Sequence, residues 1–265
     1  MKVFISADIE GVTGVTHWDE THLQKESAAP HRDQMTAEVA AACEGALNAG
    51  ASEVWVKDAH GEGRNVAGDR LPQQVKLVRG WSGHPFGMVE ELDRSFQAML
   101  MVGYHSPAGG GGNPLAHTMS LDFVHIKLNG QYASEFLLHA FVAAYVGVPV
   151  VFVSGDRALC ELASELNPHI ASVAVKEGIG ASTVNIHPAL ATARISEAVE
   201  RALQGDLSRA LITLPDHFRM EICYRTHSSA YAGSFYPGAE RIDAHTVAFE
   251  HDDYFEVLRC LTFAA

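Results

Sequence analysis

Two acidic residues near the N-terminus, Asp8 and Glu10, lie directly after the apolar run at positions 2–7. This run is rich in β-branched and aromatic residues and predicts a buried strand. In an extended chain, residues i and i+2 point to the same side, so both carboxylates face one point. Two carboxylates this close repel each other unless a proton or a cation lies between them. The pair therefore indicates a metal site at the end of the strand, although both acids could instead cap a loop.

Histidines follow two further predicted strands in the same way. His60 comes just after the strand at 53–58, and His105 ends the apolar run that starts at 96. Open α/β sheets bind ligands at the carboxyl ends of their strands, so neighbouring strands would bring these side chains together. A single histidine here is more often a hydrogen-bonded loop residue, but the coincidence at three strand ends favours a shared site. Mixed carboxylate and imidazole ligands suit Zn²⁺, and a shared carboxylate can bridge two metals.

Three other residues are candidates for the same site. Glu135 stands in the first turn of an apolar helix predicted at 134–146. It either completes the ligand set or complements the helix dipole. His117 follows a glycine-rich segment, 106–114, which predicts a mobile loop, and is either functional or a surface residue. Asp58, at the end of the second strand, either orients a ligand histidine or only terminates its strand.

A strand–helix–strand unit over residues 2–58 supplies the framework for these side chains. Its helix begins near Met35 and ends at Asn48-Ala49-Gly50, and such units are normally parallel with a right-handed crossover. We predict an α/β fold with a mostly parallel central sheet flanked by helices and a smaller C-terminal α+β part. A metal-binding catalytic domain would cover residues 1–190, and the C-terminal region residues 191–265. Further strands are predicted at 75–80, 124–128, 149–156, 171–175, 220–225 and 246–250, and further helices at 88–94, 158–166, 188–203 and 254–263.

Composition excludes several classes of function. The net charge is −13 and no basic patch occurs, which argues against a nucleic-acid partner. No apolar run is long enough to span a membrane, and the first residues lack the pattern of a signal peptide. We therefore expect a cytoplasmic protein with no membrane partner. The four cysteines are far apart in sequence, so no cysteine zinc or redox motif exists and we expect buried or inert thiols.

Several stretches jointly resemble the M55 family of metallopeptidases. They are Ser6–Gly11, Val56–His60, Val102–His105, His117–Met119, Glu135 with its helix, and Pro149–Ala158 with its Gly155-Asp156-Arg157. The resemblance runs through most of the chain and is firmest up to residue 187. It implies a binuclear zinc peptidase with two Zn²⁺ per subunit, held by Asp8 as the bridging carboxylate and by Glu10, His60, His105 and Glu135. It also implies release of an N-terminal D-amino acid from short peptides, and a homodecamer of two pentameric rings around a channel.

The resemblance further implies that His117 is catalytic. In the family this histidine is described as a nucleophile, but we expect an acid–base or oxyanion-stabilising role because metal-activated water can already attack. The alternatives are another metal-dependent amide hydrolase, such as a deacylase or lactamase, or a non-catalytic protein that keeps the metal for structure. A two-metal phosphatase is disfavoured because no basic phosphate-binding cluster accompanies the motifs.

Overall fold

The structure is a computed structural model that describes residues 1–264. In these residues the helices are α1 (Ala29–Asn48), α2 (Glu135–Tyr145), α3 (Arg157–Leu166), α4 (Pro188–Gln204), α5 (His227–Gly233) and α6 (Tyr254–Ala264). The strands are β1 (Lys2–Ala7), β2 (Glu53–Asp58), β3 (Val75–Val78), β4 (Ala98–Tyr104), β5 (Phe123–Leu128), β6 (Gln131–Tyr132), β7 (Val150–Asp156), β8 (Ala171–Ile179), β9 (Ser182–Asn185), β10 (Phe218–Tyr224), β11 (Glu240–Arg241) and β12 (Thr246–His251). None of these helices combines the length and the apolar character needed to cross a membrane.

A seven-stranded sheet forms the base of the site. Its order is β3-β2-β1-β4-β7-β8-β9, and all neighbours are parallel except β8 and β9, which form an antiparallel hairpin. Strand β1 lies between β2 and β4, the two strands that precede the histidines. The three strand ends that carry the candidate ligands are therefore adjacent at one edge of the sheet.

Two apolar cores bury both faces of this sheet. Along β1, Val3 and Ile5 belong to the core that includes α1 and α4, whereas Phe4 belongs to the opposite core. That opposite core also contains Phe136 of α2 and Tyr254 of α6. The alternation follows from the two-residue period of a strand, and burial of both faces explains the nearly continuous apolar runs of the sequence.

A second, antiparallel sheet has the order β11-β12-β10-β5-β6. The predicted fold class, a mostly parallel sheet flanked by helices with a smaller α+β part, is confirmed. Strand β10 buries alternate residues, and its Phe218 packs against Phe141 of α2 and Tyr254 of α6. Pairing of β5 with β10 joins the two sides of residue 190. The division of the chain into domains at that residue stays a prediction.

One predicted helix and the predicted start of another are wrong. The helix expected at 88–94 is only a single 3₁₀ turn, Gly87–Val89, because Glu91 adopts a positive φ of 74° that a helix does not allow. Helix α1 begins at Ala29 rather than near Met35, with Pro30 in its first turn, where proline is favoured because its missing N–H leaves no helical bond unmade. The apolar stripe of this helix starts later than the helix itself, which explains the late prediction.

All four cysteines are free thiols, and Cys43, Cys160 and Cys260 are buried. Burial raises the pKa of the Cys43 thiol to about 12. A thiol with so high a pKa carries almost no thiolate near neutral pH and is a poor nucleophile. The buried cysteines therefore behave as small apolar side chains, as the sequence indicated.

Candidate metal centre

The five predicted metal ligands lie together at the carboxyl edge of the parallel sheet. Asp8 is central, with Oδ1 3.3 Å from His60 Nδ1 and Oδ2 3.4 Å from His105 Nε2. Glu10 Oε2 approaches His60 Nδ1 to 3.0 Å. Glu135 Oε2 approaches His105 Nε2 to 3.2 Å. The structure thus brings together every side chain that the sequence proposed as a ligand, and their roles as ligands stay predictions.

Backbone contacts hold the segment after β1 against the end of β4. The Asp8 N–H donates to the carbonyl of Val102, and the Gly11 N–H donates to the carbonyl of Gly103, each at 2.8 Å. A Cβ on Gly11 would lie 1.8 Å from the Tyr104 carbonyl oxygen, so only glycine permits this approach. The close contact fixes the two carboxylates relative to the histidine that follows β4.

Each strand-end histidine has one ring nitrogen fixed by a backbone carbonyl. His60 Nε2 lies 3.0 Å from the Thr21 oxygen, and His105 Nδ1 lies 2.9 Å from the Ser106 oxygen. A carbonyl oxygen only accepts, so these nitrogens carry a hydrogen. In the neutral form of each ring, which is the form that binds a metal, the other nitrogen then directs its lone pair at the carboxylates. Protein histidines that bind metals are oriented in this way.

Three polar atoms at the centre are fully buried and have no hydrogen-bond partner among residues 1–264: Asp8 Oδ2, Glu10 Oε2 and His105 Nε2. The His60 ring is near Glu10 Oε2 but lacks the alignment of a hydrogen bond. Unpaired buried polar atoms are destabilising, and lone pairs that face one another repel. A cation at this point would satisfy all three atoms, and oxygen with imidazole donors is a set that Zn²⁺ accepts. The residues therefore fit a zinc site.

The ionisable groups of the cluster are strongly perturbed. Burial and the adjacent Glu10 hold the pKa of Asp8 well above its usual range. Burial would raise the pKa of Glu135, but His117 and His105 outweigh it and lower that pKa to about 2. Burial would lower the pKa of His105, but Glu135 outweighs it and raises that pKa to about 10. The carboxylates thus draw positive charge into the cluster, and a metal ion would compete with protons there.

Helix α2 begins at Glu135 and fixes its carboxylate. The Ser134 hydroxyl caps the helix by accepting from the Leu137 N–H at 3.0 Å. Glu135 Oε1 accepts from the Met119 N–H at 2.7 Å, which leaves Oε2 for His105. Met119 has a φ of 64°, an uncommon conformation for a residue with a side chain, and such strain is typical of functional sites.

His117 lies beside the predicted ligands and is oriented from three directions. Its Nδ1 donates to the Leu115 carbonyl at 3.0 Å, so Nε2 faces the cluster, 3.5 Å from Glu135 Oε1. Its ring stacks on His105 and meets Trp18 in an edge-to-face arrangement, with centroid distances of 4.4 and 5.3 Å. His105, His117 and Glu135 offer ligand atoms within 4.8 Å of one another. The catalytic role assigned to His117 stays a prediction.

Two buried aspartates outside the cluster hold its backbone. Asp58 accepts from Asn65 Nδ2 at 3.0 Å, and the same amide group donates to the His60 carbonyl at 2.7 Å. Asp58 therefore acts on His60 through Asn65 rather than by touching the imidazole. Asp156 accepts from the Ser106 N–H at 2.7 Å and from Asn113 Nδ2 at 3.1 Å.

Asn113 also donates to the Glu10 carbonyl at 2.9 Å, so one aspartate network spans both sides of the site. The glycine-rich segment between them is anchored at Gly112, whose carbonyl accepts from the Gly178 N–H at 3.1 Å. A Cβ on Gly112 would lie 2.3 Å from the Ala158 Cβ. The prediction that this segment is mobile is not tested by these contacts.

A cavity of about 250 Å³ opens onto the cluster. Apart from the predicted residues, its lining includes five large apolar side chains: Trp18, Trp81, Met88, Met119 and Leu121. Thr21 and His22 add polar groups to it. Met119 closes a stretch that the family resemblance already contained, so its position two residues after His117 was a usable signal. Trp81 lies in the irregular segment that follows β3, and no sequence pattern pointed to it.

Carboxylates and histidines at the carboxyl ends of parallel strands, facing one cavity, define a metal-dependent hydrolase of α/β type. The chain belongs to the M55 peptidase family: the model of that family, described as D-aminopeptidase, matches residues 1–263. The resemblance found in the sequence is confirmed.

Two known proteins resemble this chain along nearly its whole length. A D-aminopeptidase of Bacillus subtilis (strain 168) is 32% identical over 265 residues, which cover 98% of this chain and 95% of that protein. A solved structure described as the Zn-dependent D-aminopeptidase DppA from Bacillus subtilis, a self-compartmentalizing protease, superposes with a TM-score of 0.93 at 30% identity. The superposition covers 100% of this chain and 96% of that one.

Proposed function

We propose that this protein is a zinc-dependent aminopeptidase that releases an N-terminal D-amino acid from short peptides. The observation that carries the proposal is the position of Asp8, whose two carboxylate oxygens face two different histidines. Buried polar atoms without a hydrogen-bond partner surround this point. Membership of the M55 family and the descriptions of the two Bacillus subtilis relatives support the same activity.

The cluster divides into two half-sites that share Asp8. One half-site contains Asp8 Oδ1, Glu10 and His60, and the other contains Asp8 Oδ2, His105 and Glu135. This division supports two zinc ions per subunit, with Asp8 as the bridging carboxylate. Zinc at these positions would polarise the scissile carbonyl and lower the pKa of a water molecule, which is the chemistry that peptide hydrolysis needs.

His117 is the proposed proton-transfer residue. Its Nδ1 donates a hydrogen bond to the Leu115 carbonyl, so Nε2 is the atom that can accept a proton or donate one to the leaving amine. When protonated, the same nitrogen can donate a hydrogen bond to the oxygen that gains charge in the tetrahedral state. Stacking on His105 and contact with Trp18 keep the ring in this orientation.

Zinc content and hydrolysis measured together test the proposal. We expect the purified protein to cleave D-aminoacyl amides, to lose activity on chelation and to recover it with Zn²⁺ in proportion to the zinc bound. The L-aminoacyl amides test stereochemistry, and N-acylated substrates test the need for a free amine. Faster cleavage of N-acylated substrates would show a deacylase instead. Stoichiometric zinc with no turnover of any amide would show a metal-binding protein without catalysis.

We further propose that the protein works as a homo-oligomer, specifically a homodecamer of two pentameric rings. The description of DppA as self-compartmentalizing supports an assembly that encloses its active sites. Light scattering coupled to size-exclusion chromatography gives the mass directly. A mass of ten chains agrees with the proposal, whereas a monomer or dimer that is fully active would contradict it.

A further inference from the structure

We propose that Trp81, held in place by the buried Lys57, forms with Met119 and Leu121 a wall that binds an apolar substrate side chain next to the scissile bond. The inference rests on the peptidase function proposed above and narrows its substrate class. The preferred substrates would be short peptides with a branched aliphatic or aromatic residue beside the cleaved bond, rather than alanine or an acidic residue.

The wall consists of large apolar side chains left open to solvent around the metal cluster. Trp81 is 43% exposed, Met119 38% and Leu121 44%, although all three line the cavity of about 250 Å³. Binding pockets for small molecules are mostly apolar, with a few polar groups that fix orientation. Here the cluster provides the polar groups, and the wall provides apolar area that a substrate side chain could cover.

Trp81 is fixed on the histidine side of the cavity. Its indole N–H donates to the Gly61 carbonyl at 2.7 Å, one residue after His60. The ammonium group of Lys57 lies 4.1 Å from the centre of its ring, a favourable cation–π arrangement. The indole is therefore tied to the loop that carries a predicted zinc ligand, and one ring face is covered by a cation.

Lys57 is a fully buried cation that holds the loop carrying Trp81 in place. Its Nζ lies 3.0 Å from Glu90 Oε1 and donates to the Gly80 carbonyl. Glu90 Oε2 accepts from the Ser82 N–H at 2.9 Å and from its hydroxyl at 2.6 Å. Buried charges are destabilising unless paired, and this pair anchors the backbone on both sides of Trp81. Lys57 and Glu90 are thus positioning residues.

The lining of the cavity favours apolar over acidic substrate side chains. It includes no lysine or arginine in the part of the chain that the structure describes. An acidic side chain that covers Trp81 and Leu121 would lose its hydration without an ion pair in return, which is unfavourable. An apolar side chain in the same place has no such cost.

Steady-state kinetics on two substrate series test the wall. One series varies the N-terminal residue of aminoacyl amides among alanyl, leucyl, phenylalanyl and aspartyl, and the other varies the second residue of dipeptides. For at least one position we expect kcat/KM to be at least about tenfold higher for leucyl than for alanyl. In Trp81→Ala the leucyl value should fall about tenfold more than the alanyl value, mainly through KM, with zinc content unchanged. Trp81→Leu should retain part of the preference.

Binding measured without turnover separates the wall from catalysis. Calorimetric titration with the hydroxamates of leucine and alanine should show a loss of the leucine advantage in Trp81→Ala. Phe235→Ala removes another exposed aromatic ring, 69% exposed and outside the cavity, and should leave the binding of both hydroxamates unchanged.

Variants of Lys57 test its positioning role. Lys57→Met should lower the preference for leucyl over alanyl substrates, as Trp81→Ala does. Lys57→Arg keeps the positive charge and should retain more of that preference than Lys57→Met.

Different results would contradict the proposed wall and the proposed peptidase function. Wild-type protein that binds zinc but cleaves no aminoacyl amide would contradict the function. Active wild-type protein without an apolar preference, or with a preference that Trp81→Ala leaves unchanged, would overturn the wall. An equal loss on alanyl and leucyl substrates would also overturn it, because Trp81 would then act only on the structure.

Discussion

The imidazole of His117 lies flat on that of His105, with ring centroids 4.4 Å apart and ring planes inclined by 9°. Both rings direct Nε2 to the same carboxylate, His105 to Glu135 Oε2 at 3.2 Å and His117 to Glu135 Oε1 at 3.5 Å. Only His105 lies at a strand end and is fully buried, whereas His117 borders the cavity. The stack therefore places a ligand-type histidine and a solvent-accessible histidine side by side.

His117→Ala separates catalysis from metal binding. Because His117 borders the cavity beside the five proposed ligands, we expect zinc to stay bound while kcat falls by roughly 10² or more. Zinc by plasma mass spectrometry and kcat on the same sample make the comparison. His169→Ala, at an exposed position outside the cavity, is the control for loss of a histidine. Loss of zinc together with activity would assign His117 to the ligand set instead.

Substitution of single carboxylates tests the two half-sites. Glu10→Gln and Glu135→Gln should each lower the zinc content from two towards one, because each removes a donor from one half-site only. Asp8→Asn should weaken the binding of both zinc ions, since Asp8 faces both histidines. The exposed Glu62, close to His60 in sequence, gives the control Glu62→Gln. Two zinc ions retained by Asp8→Asn after dialysis would contradict a bridging role.

Gly11→Ala tests the backbone contact that sets the Asp8 carboxylate. A Cβ at this position would lie 1.8 Å from the Tyr104 carbonyl, so the segment must move away from β4. We expect a loss of about 1–3 kcal/mol in the free energy of unfolding and a lower zinc affinity. The matched control is Gly111→Ala, where no heavy atom lies within 4 Å of the added group, and its effect should stay within about 0.5 kcal/mol. Equal effects of the two substitutions would contradict this account.

The buried Glu38 should make stability depend on pH. Burial raises the pKa of Glu38 from 4.5 to about 7, although its Oε1 accepts from the Thr13 N–H and from Gln34. Below pH 4.5 the carboxyl group is protonated in both the folded and the unfolded chain. Between pH 4.5 and 7 the unfolded chain loses this proton first, so the free energy of unfolding falls as pH rises, by about 3 kcal/mol in total.

Glu38→Gln removes this titration. The difference in unfolding free energy between Glu38→Gln and wild type should therefore rise by about 3 kcal/mol from pH 4.5 to above pH 7. Urea unfolding at a series of pH values measures both proteins under the same conditions, so titrations common to both cancel. Parallel curves for the two proteins would show that Glu38 keeps an ordinary pKa in the folded state.

The sequence predicted the edge of the sheet where the cluster lies, because parallel strands present their carboxyl ends at one edge. Asp8, His60 and His105 each follow an apolar run, and that local pattern was enough to group them. The pairing of β5 with β10 across the chain depends on packing between distant segments, which local periodicity does not report. The place of Trp81 likewise depends on the pairing of Lys57 with Glu90 and was not foreseen.

Anomalous scattering from crystals of the zinc-loaded protein, recorded above and below the zinc absorption edge, tests the central claim most directly. We expect two peaks about 3.5–4 Å apart. One peak should contact Glu10 and His60, the other His105 and Glu135, and both should contact Asp8. A map with no peak at this edge of the sheet, or with peaks that Asp8 does not touch, would contradict it.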